Sequence, residues 1–91
     1  MKRVQWDRRA NEDLKAIAAY IAKESPRSAR RVIEYIRNTA LLLEASPELG
    51  RATDDGTREF VLTRYRYVLV YEIAGDEVCV LAVFHHAQKR R

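Results

Sequence analysis

One cysteine, two prolines and three glycines are all that 91 residues hold of these types, and the scarcities exclude whole classes of protein. A single thiol, Cys79, permits neither an internal disulfide framework nor a cysteine-based zinc site. No apolar run approaches the ~20 residues that cross a bilayer, so no membrane association is expected. The opening Met1-Lys2-Arg3-Val4-Gln5-Trp6-Asp7 turns polar at once. No secretory leader is expected, and a reducing cytoplasm is the expected location. There is no linker, repeat or low-complexity tract. Gly-rich phosphate-loop spacing and HExxH spacing are both missing. What is there is 47% apolar and 33% charged, the composition of one small globular domain spanning residues 1–91.

Seventeen Lys and Arg against thirteen Asp and Glu give a formal charge of +4, and arginine supplies most of the excess. The last three positions, Lys89, Arg90 and Arg91, are all basic. This balance suits an acidic partner or a nucleic-acid surface, and equally a solvated surface tuned for solubility.

Hydrophobic periodicity then orders the elements. Val4 and Trp6 alternate with polar neighbours and predict a short strand over residues 2–6. Asp7 is placed to cap a helix over 8–24, whose apolar stripe is Ala10, Leu14, Ile17, Ala18 and Ile21. Ser25-Pro26 reads as a second helix start, cap followed by proline at the first position. Ala29, Val32, Ile33, Ile36, Ala40 and Leu43 carry that helix to about residue 45, where Ser46-Pro47 stops it. A loop is expected over 47–57. Strands follow at 58–62, from 65 or 66 to 73, and at 77–84, with Ala74-Gly75-Asp76 as a tight hairpin turn. The expected fold is α+β, ordered β-α-α-β-β-β, with a helical hairpin on one face of a mostly antiparallel sheet.

The sheet has more apolar surface than two helices cover. Val78-Cys79-Val80-Leu81-Ala82-Val83-Phe84 is apolar at every position, which predicts a central strand buried from both sides. Along the preceding strand, Tyr65, Tyr67, Leu69, Tyr71 and Ile73 line one face, and Val68 and Val70 line the other. Helices shield one face only, so apolar surface stays in water unless a partner covers it.

Candidate chemistry is sparse. His85 and His86 are adjacent at a strand end and point to opposite faces, so no metal site and no cofactor are expected. Ser25 reads as a cap and Cys79 sits mid-strand, which argues against either as a nucleophile. Arg58, Arg64 and Arg66 interleave with Tyr65 and Tyr67. Such a set can grip phosphates and stack bases, receive an acidic helix, or simply form a sheet face.

The ordered elements, with particular residues, resemble the ParE/RelE superfamily of toxins from bacterial toxin–antitoxin modules. The matching residues are Trp6, Ala10, Asp13-Leu14, Ile17 and Tyr20-Ile21, then Ala29 and Ile33. Pro47-Glu48-Leu49-Gly50-Arg51, Arg58-Glu59-Phe60, Tyr67-Val68-Leu69-Val70-Tyr71 and Val83-Phe84-His85 complete the set. The superfamily has two mechanisms. RelE-like members cleave mRNA in the ribosomal A site, with an arginine one residue after the first strand tyrosine and a tyrosine near the end. Here Tyr67 is followed by Val68, and no tyrosine follows Tyr71. These departures favour the ParE-like branch, which implies inhibition of DNA gyrase rather than catalysis.

The resemblance further implies a hetero-oligomer with a ParD-like antitoxin, whose acidic, amphipathic C-terminal segment lies along the uncovered surface. The expected antitoxin-binding residues are Arg58, Phe60, Tyr67, Leu69, Tyr71, Val80, Ala82 and Phe84. DNA contact is expected only through the antitoxin. His85, Lys89, Arg90 and Arg91 are the expected target-binding residues. The alternative, a RelE-like ribosome-dependent mRNA interferase, would have to build its site from Arg58, Arg64, His85, His86 and Lys89.

Overall fold

The computed structural model describes residues 1–88, so Lys89, Arg90 and Arg91 lie outside the described residues. Strand β1 (Arg3–Trp6) leads into helix α1 (Arg8–Ala22), helix α2 (Pro26–Ala40) and the single turn α3 (Leu42–Ala45). A 3-10 turn (Pro47–Leu49) and strands β2 (Arg51–Ala52), β3 (Arg58–Leu62), β4 (Tyr67–Ala74) and β5 (Glu77–His85) follow, then a second 3-10 turn (His86–Gln88). The sheet order is β1-β5-β4-β3-β2, with β1 parallel to β5 and every other pair antiparallel. The expected α+β arrangement, a helical hairpin over a mostly antiparallel sheet, is the one observed.

Both helix starts have the local cause read from sequence. The Asp7 carboxylate accepts the Arg9 N–H, and the Ser25 hydroxyl accepts the Ser28 N–H at 3.1 Å, with Pro26 in the first turn. Ala10 and Leu14 of α1 and Val32, Ile36 and Ala40 of α2 are buried against Leu62, Leu69, Tyr71, Val78, Val80 and Val83. The second helix does not run unbroken to residue 45. The Leu41 N–H turns back to the Asn38 carbonyl at 3.2 Å, ending α2 and re-aiming α3 so that Leu43 enters the core. From α3, Glu44 seals the outer edge of β1. Its carbonyl accepts the Lys2 N–H and its carboxylate accepts the Val4 N–H, both at 3.0 Å.

Two further expectations are corrected. The 47–57 loop carries the short edge strand β2, so the sheet has five strands rather than four. The last strand is central, as expected, but it is not buried from both sides. It lies between β1 and β4, and Cys79, Leu81, Ala82 and Phe84 keep intermediate exposure. The cause of its unbroken apolar run is a bulge. Val70 pairs with Ala82 but Tyr71 pairs with Val80, so Leu81 is an extra residue and the side-chain alternation changes phase there. Val78 and Val80 before it, and Val83 after it, all reach the helix-covered face.

The 53–57 turn is organised around one carboxylate. Asp55 accepts the Thr53 hydroxyl at 2.6 Å, the Thr57 hydroxyl at 2.7 Å and the Thr57 N–H at 3.1 Å. These bonds, that from the Thr53 hydroxyl foremost, hold its pKa down to about 2. A depressed pKa means that the turn is supported above the unfolded carboxylate's pKa and loses that support as pH falls through about 2. A carbon-detected NMR titration is expected to place the Asp55 midpoint near 2. A midpoint near 4 would show that the cluster does not form.

Candidate functional site

The site originates in a length mismatch between neighbouring strands. β1 covers the edge of β5 only from Glu77 to Val80. The Asp7 N–H then bonds the Val80 carbonyl at 2.9 Å and the chain turns away into α1. β5 continues to His85 with no strand beside that edge. The Val83 N–H, pointing outward, is taken by the Asp13 carboxylate of α1 at 2.9 Å. Asp13 thereby fastens helix to sheet and blunts an open strand edge.

Between α1 and this edge lies a cleft of about 720 Å³. Its helix wall is Arg9, Asp13, Ala16, Ile17 and Tyr20, a single stripe at helical spacing. Its sheet wall is Tyr67, Ala82, Val83, Phe84 and His85. Tyr20 stands at 73% exposure, a large aromatic left in water on a rigid helix. Tyr67 and His85 meet edge to face with ring centroids 5.2 Å apart. The His85 Nδ1 accepts the Ala87 N–H at 3.1 Å, which fixes the ring orientation. A charged pair at one end (Arg9 and Asp13, 4.0 Å), aliphatic walls and two phenols make a surface suited to an amphipathic peptide.

Acid–base catalysis finds little here. Burial, with a smaller contribution from Tyr20, pushes the Tyr67 phenol up, so it stays protonated at neutral pH. Burial, together with Glu77, Glu72 and Asp7, likewise raises the Cys79 thiol, which leaves little thiolate to act as a nucleophile. Among the described residues no three His, Cys, Asp or Glu come together to hold a metal ion.

The structure sorts the residues expected from sequence. Tyr67, Ala82 and Phe84 line the cleft. Leu69, Tyr71 and Val80 do not serve as contacts, because each is fully buried beneath the helices and belongs to this chain's own core. Phe60 is half-buried against that core, away from the cleft. The Arg58 guanidinium bonds the Gly50 carbonyl at 2.7 Å and so clamps the loop before β2.

Nor do the nuclease candidates assemble. Arg58 pairs with Tyr71 and His85 with Tyr67, two strands across and four residues along. Strand geometry puts their Cα atoms on the order of 16 Å apart. Arg64 lies over the Tyr65 ring in the 63–66 turn, and His86 is exposed in the final 3-10 turn. Arg66, with a φ of 62°, sits in the left-handed region of that turn rather than on a strand face, and its carbonyl accepts the His86 N–H at 2.7 Å. Of the expected target-binding residues only His85 is described, and it lines the cleft.

Of the helix wall, Ile17 reads from sequence as core and Asp13 and Tyr20 enter only as family matches, so none of it reads as a binding surface. The signal for it is Tyr20, an aromatic one position off the buried stripe with small Ala16 and Ala19 below it.

A family profile described as "ParE toxin of type II toxin-antitoxin system, parDE" matches residues 4–90. Y4kP of Sinorhizobium fredii, which carries the word toxin in its name, is 38% identical over 97% of this chain and 92% of its own. Toxin RelE2 of Caulobacter vibrioides is 35% identical, covering 97% of this chain and 99% of its own. Toxin RelE3 of the same organism is 29% identical over 99% of this chain and 100% of its own. Among solved structures, a chain from the chromosomal ParDE system of P. aeruginosa superimposes with a TM-score of 0.82 at 26% identity, covering 93% of this chain and 96% of that one.

Proposed function

The chain belongs to the ParE toxin family of type II toxin–antitoxin systems, and from that premise we propose that it inhibits DNA gyrase and is silenced when a ParD-like antitoxin fills the cleft between α1 and β5. The observation that carries the second part is the cleft itself, built where β1 ends and β5 runs on with a strand on one side only. Its chemistry specifies the occupant: a segment with apolar anchors for Ile17, Ala82 and Phe84, and a carboxylate for Arg9. That an antitoxin partner exists is supported by the ParDE system to which the solved neighbour belongs.

The gyrase reading is supported by the family and by the scatter of the nuclease candidates Arg58, Arg64 and His85 over separate strands and turns. Purified toxin is expected to stop gyrase from supercoiling relaxed plasmid and to raise the level of cleaved DNA complexes. Unchanged supercoiling together with unchanged cleavage would reject the assignment. The RelE names of two relatives favour a second reading, ribosome-dependent mRNA cleavage. Toeprinting on translating ribosomes separates the two, because A-site cuts arise only under that second reading.

A further inference from the structure

The formal charge of +4 is not spread evenly. From Arg8 to Ala40, the span of α1 and α2, eight Lys and Arg stand against four Asp and Glu, while the rest of the chain holds nine of each. α2 is the most unbalanced element, with Arg27, Arg30, Arg31 and Arg37 against Glu34 alone. Arg27, Arg30 and Arg31 are exposed, and the ion pairs among the described residues all lie elsewhere. Arg37 lies over the Trp6 ring, its guanidinium carbon 5.1 Å from the centroid.

Helix stability accounts for Arg37, in the last turn, but not for Arg27, Arg30 and Arg31. Arg27 sits in the first turn, directly after Pro26, where the helix dipole favours anions and α2 supplies none. Arg27 and Arg31 are like charges four apart on one face, a spacing that disfavours the helix. Arg30 and Glu34 have the spacing of an ion pair yet do not form one. The helix is held by its opposite face, where Ala29, Val32, Ile36 and Ala40 are buried.

We propose that the outer face of α2 is a phosphate-binding surface for duplex DNA, used by this chain directly and without sequence preference. Three features choose that partner. The face carries four cations along about 15 Å of rigid helix, a length that meets several backbone phosphates. Beyond Pro26 at its start, the exposed positions of α2, Arg27, Ser28, Arg30, Arg31, Glu34, Arg37 and Asn38, include no apolar or aromatic side chain. A docked acidic protein needs such anchors among the charges, and a single strand needs rings to stack on, whereas a duplex backbone needs charge alone. Finally, none of the four arginines lines the α1–β5 cleft, so the two surfaces are separate.

The test is fluorescence anisotropy of a labelled mixed-sequence DNA duplex, about 20 base pairs long, titrated with the full chain between 50 and 200 mM NaCl. Three to four neutralised phosphates predict a log–log salt slope of about −3, which is roughly 60-fold weaker binding across that range. The triple variant R27Q/R30Q/R31Q is expected to flatten the slope by about two to three and to weaken binding at least ~10-fold at the low-salt end, with an unchanged circular-dichroism melt. K89Q/R90Q/R91Q is expected to keep most of the slope. The proposal is overturned by absent binding at low salt, by an unaffected α2 variant, by loss of binding in the tail variant alone, or by equal affinity for polyglutamate, which would indicate an acidic protein instead.

Discussion

Replacing Tyr20 with alanine is expected to weaken antitoxin binding by about 30-fold or more while leaving the thermal midpoint nearly unchanged. The size follows from the type of contact, since a tyrosine anchor that fills a partner's pocket typically contributes ~2 kcal/mol or more on truncation. The selectivity follows from its setting. Tyr20 is exposed on α1, with the Lys23 ammonium 5.7 Å from its ring centroid. Folding therefore loses little when the ring is removed. Leu42 and Leu49 are also large and apolar, at 56% and 52% exposure, but neither lines the cleft. Alanine at either is expected to change antitoxin affinity less than about two-fold. Calorimetric titration of the three variants reads the difference. Equal losses at all three would mean that exposure, not the cleft, determines binding.

Tyr71→Phe is expected to have the largest effect on folding, about 2–4 kcal/mol, or on the order of 10–25 °C in Tm. Tyr71 is fully buried, and its hydroxyl donates to the Pro47 carbonyl at 2.6 Å while accepting the Gly50 N–H at 2.8 Å. Phenylalanine leaves two buried backbone groups without partners, each a penalty of ~1–3 kcal/mol. Against a total stability of roughly 5–14 kcal/mol for a chain this size, that is a large fraction. Gly50 belongs to the same unit. A Cβ there would stand 2.7 Å from the Tyr71 Cε1 and hydroxyl and 3.0 Å from the Glu59 carbonyl, so Gly50→Ala is expected to destabilise comparably. Because the pinned phenol is what the methyl strikes, the double variant should lose less than the two singles together, by about 1–2 kcal/mol. Chemical denaturation of all four proteins checks this, and strict additivity would show that Tyr71 and Gly50 act independently.

Much of this architecture is written locally and so is legible in sequence. Asp7, Ser25 and Pro26 announce the helix starts through bonds made within three residues, and the stripes at 10-14-17-21 and 29-32-36-40 report one buried face each. What was not legible depends on chain segments far apart. The extra residue Leu81 shows only once β4 is laid beside β5, and without it an unbroken apolar run reads as a strand buried twice over. The same bulge explains why Val80 reads with Ala82 and Phe84 although it lies under the helices, whereas for Leu69 and Tyr71 the alternation of β4 does not tell which of its faces the helices cover. β2 is two residues long, too short for any period to register. The cleft arises because β1 stops four residues after it starts, a relation between strand ends that no local pattern encodes.

Residue-resolved hydrogen exchange on the toxin, free and saturated with its antitoxin, tests the account most directly. Outward-facing amides of β5 beyond Val80, where β1 no longer runs beside it, are expected to slow at least ~10-fold on binding, with α1 shielded around Ala16 to Tyr20 and the β2–β3 edge unchanged. Slowing confined to the β2–β3 edge, with residues 81–85 exchanging as before, would show that the antitoxin sits elsewhere.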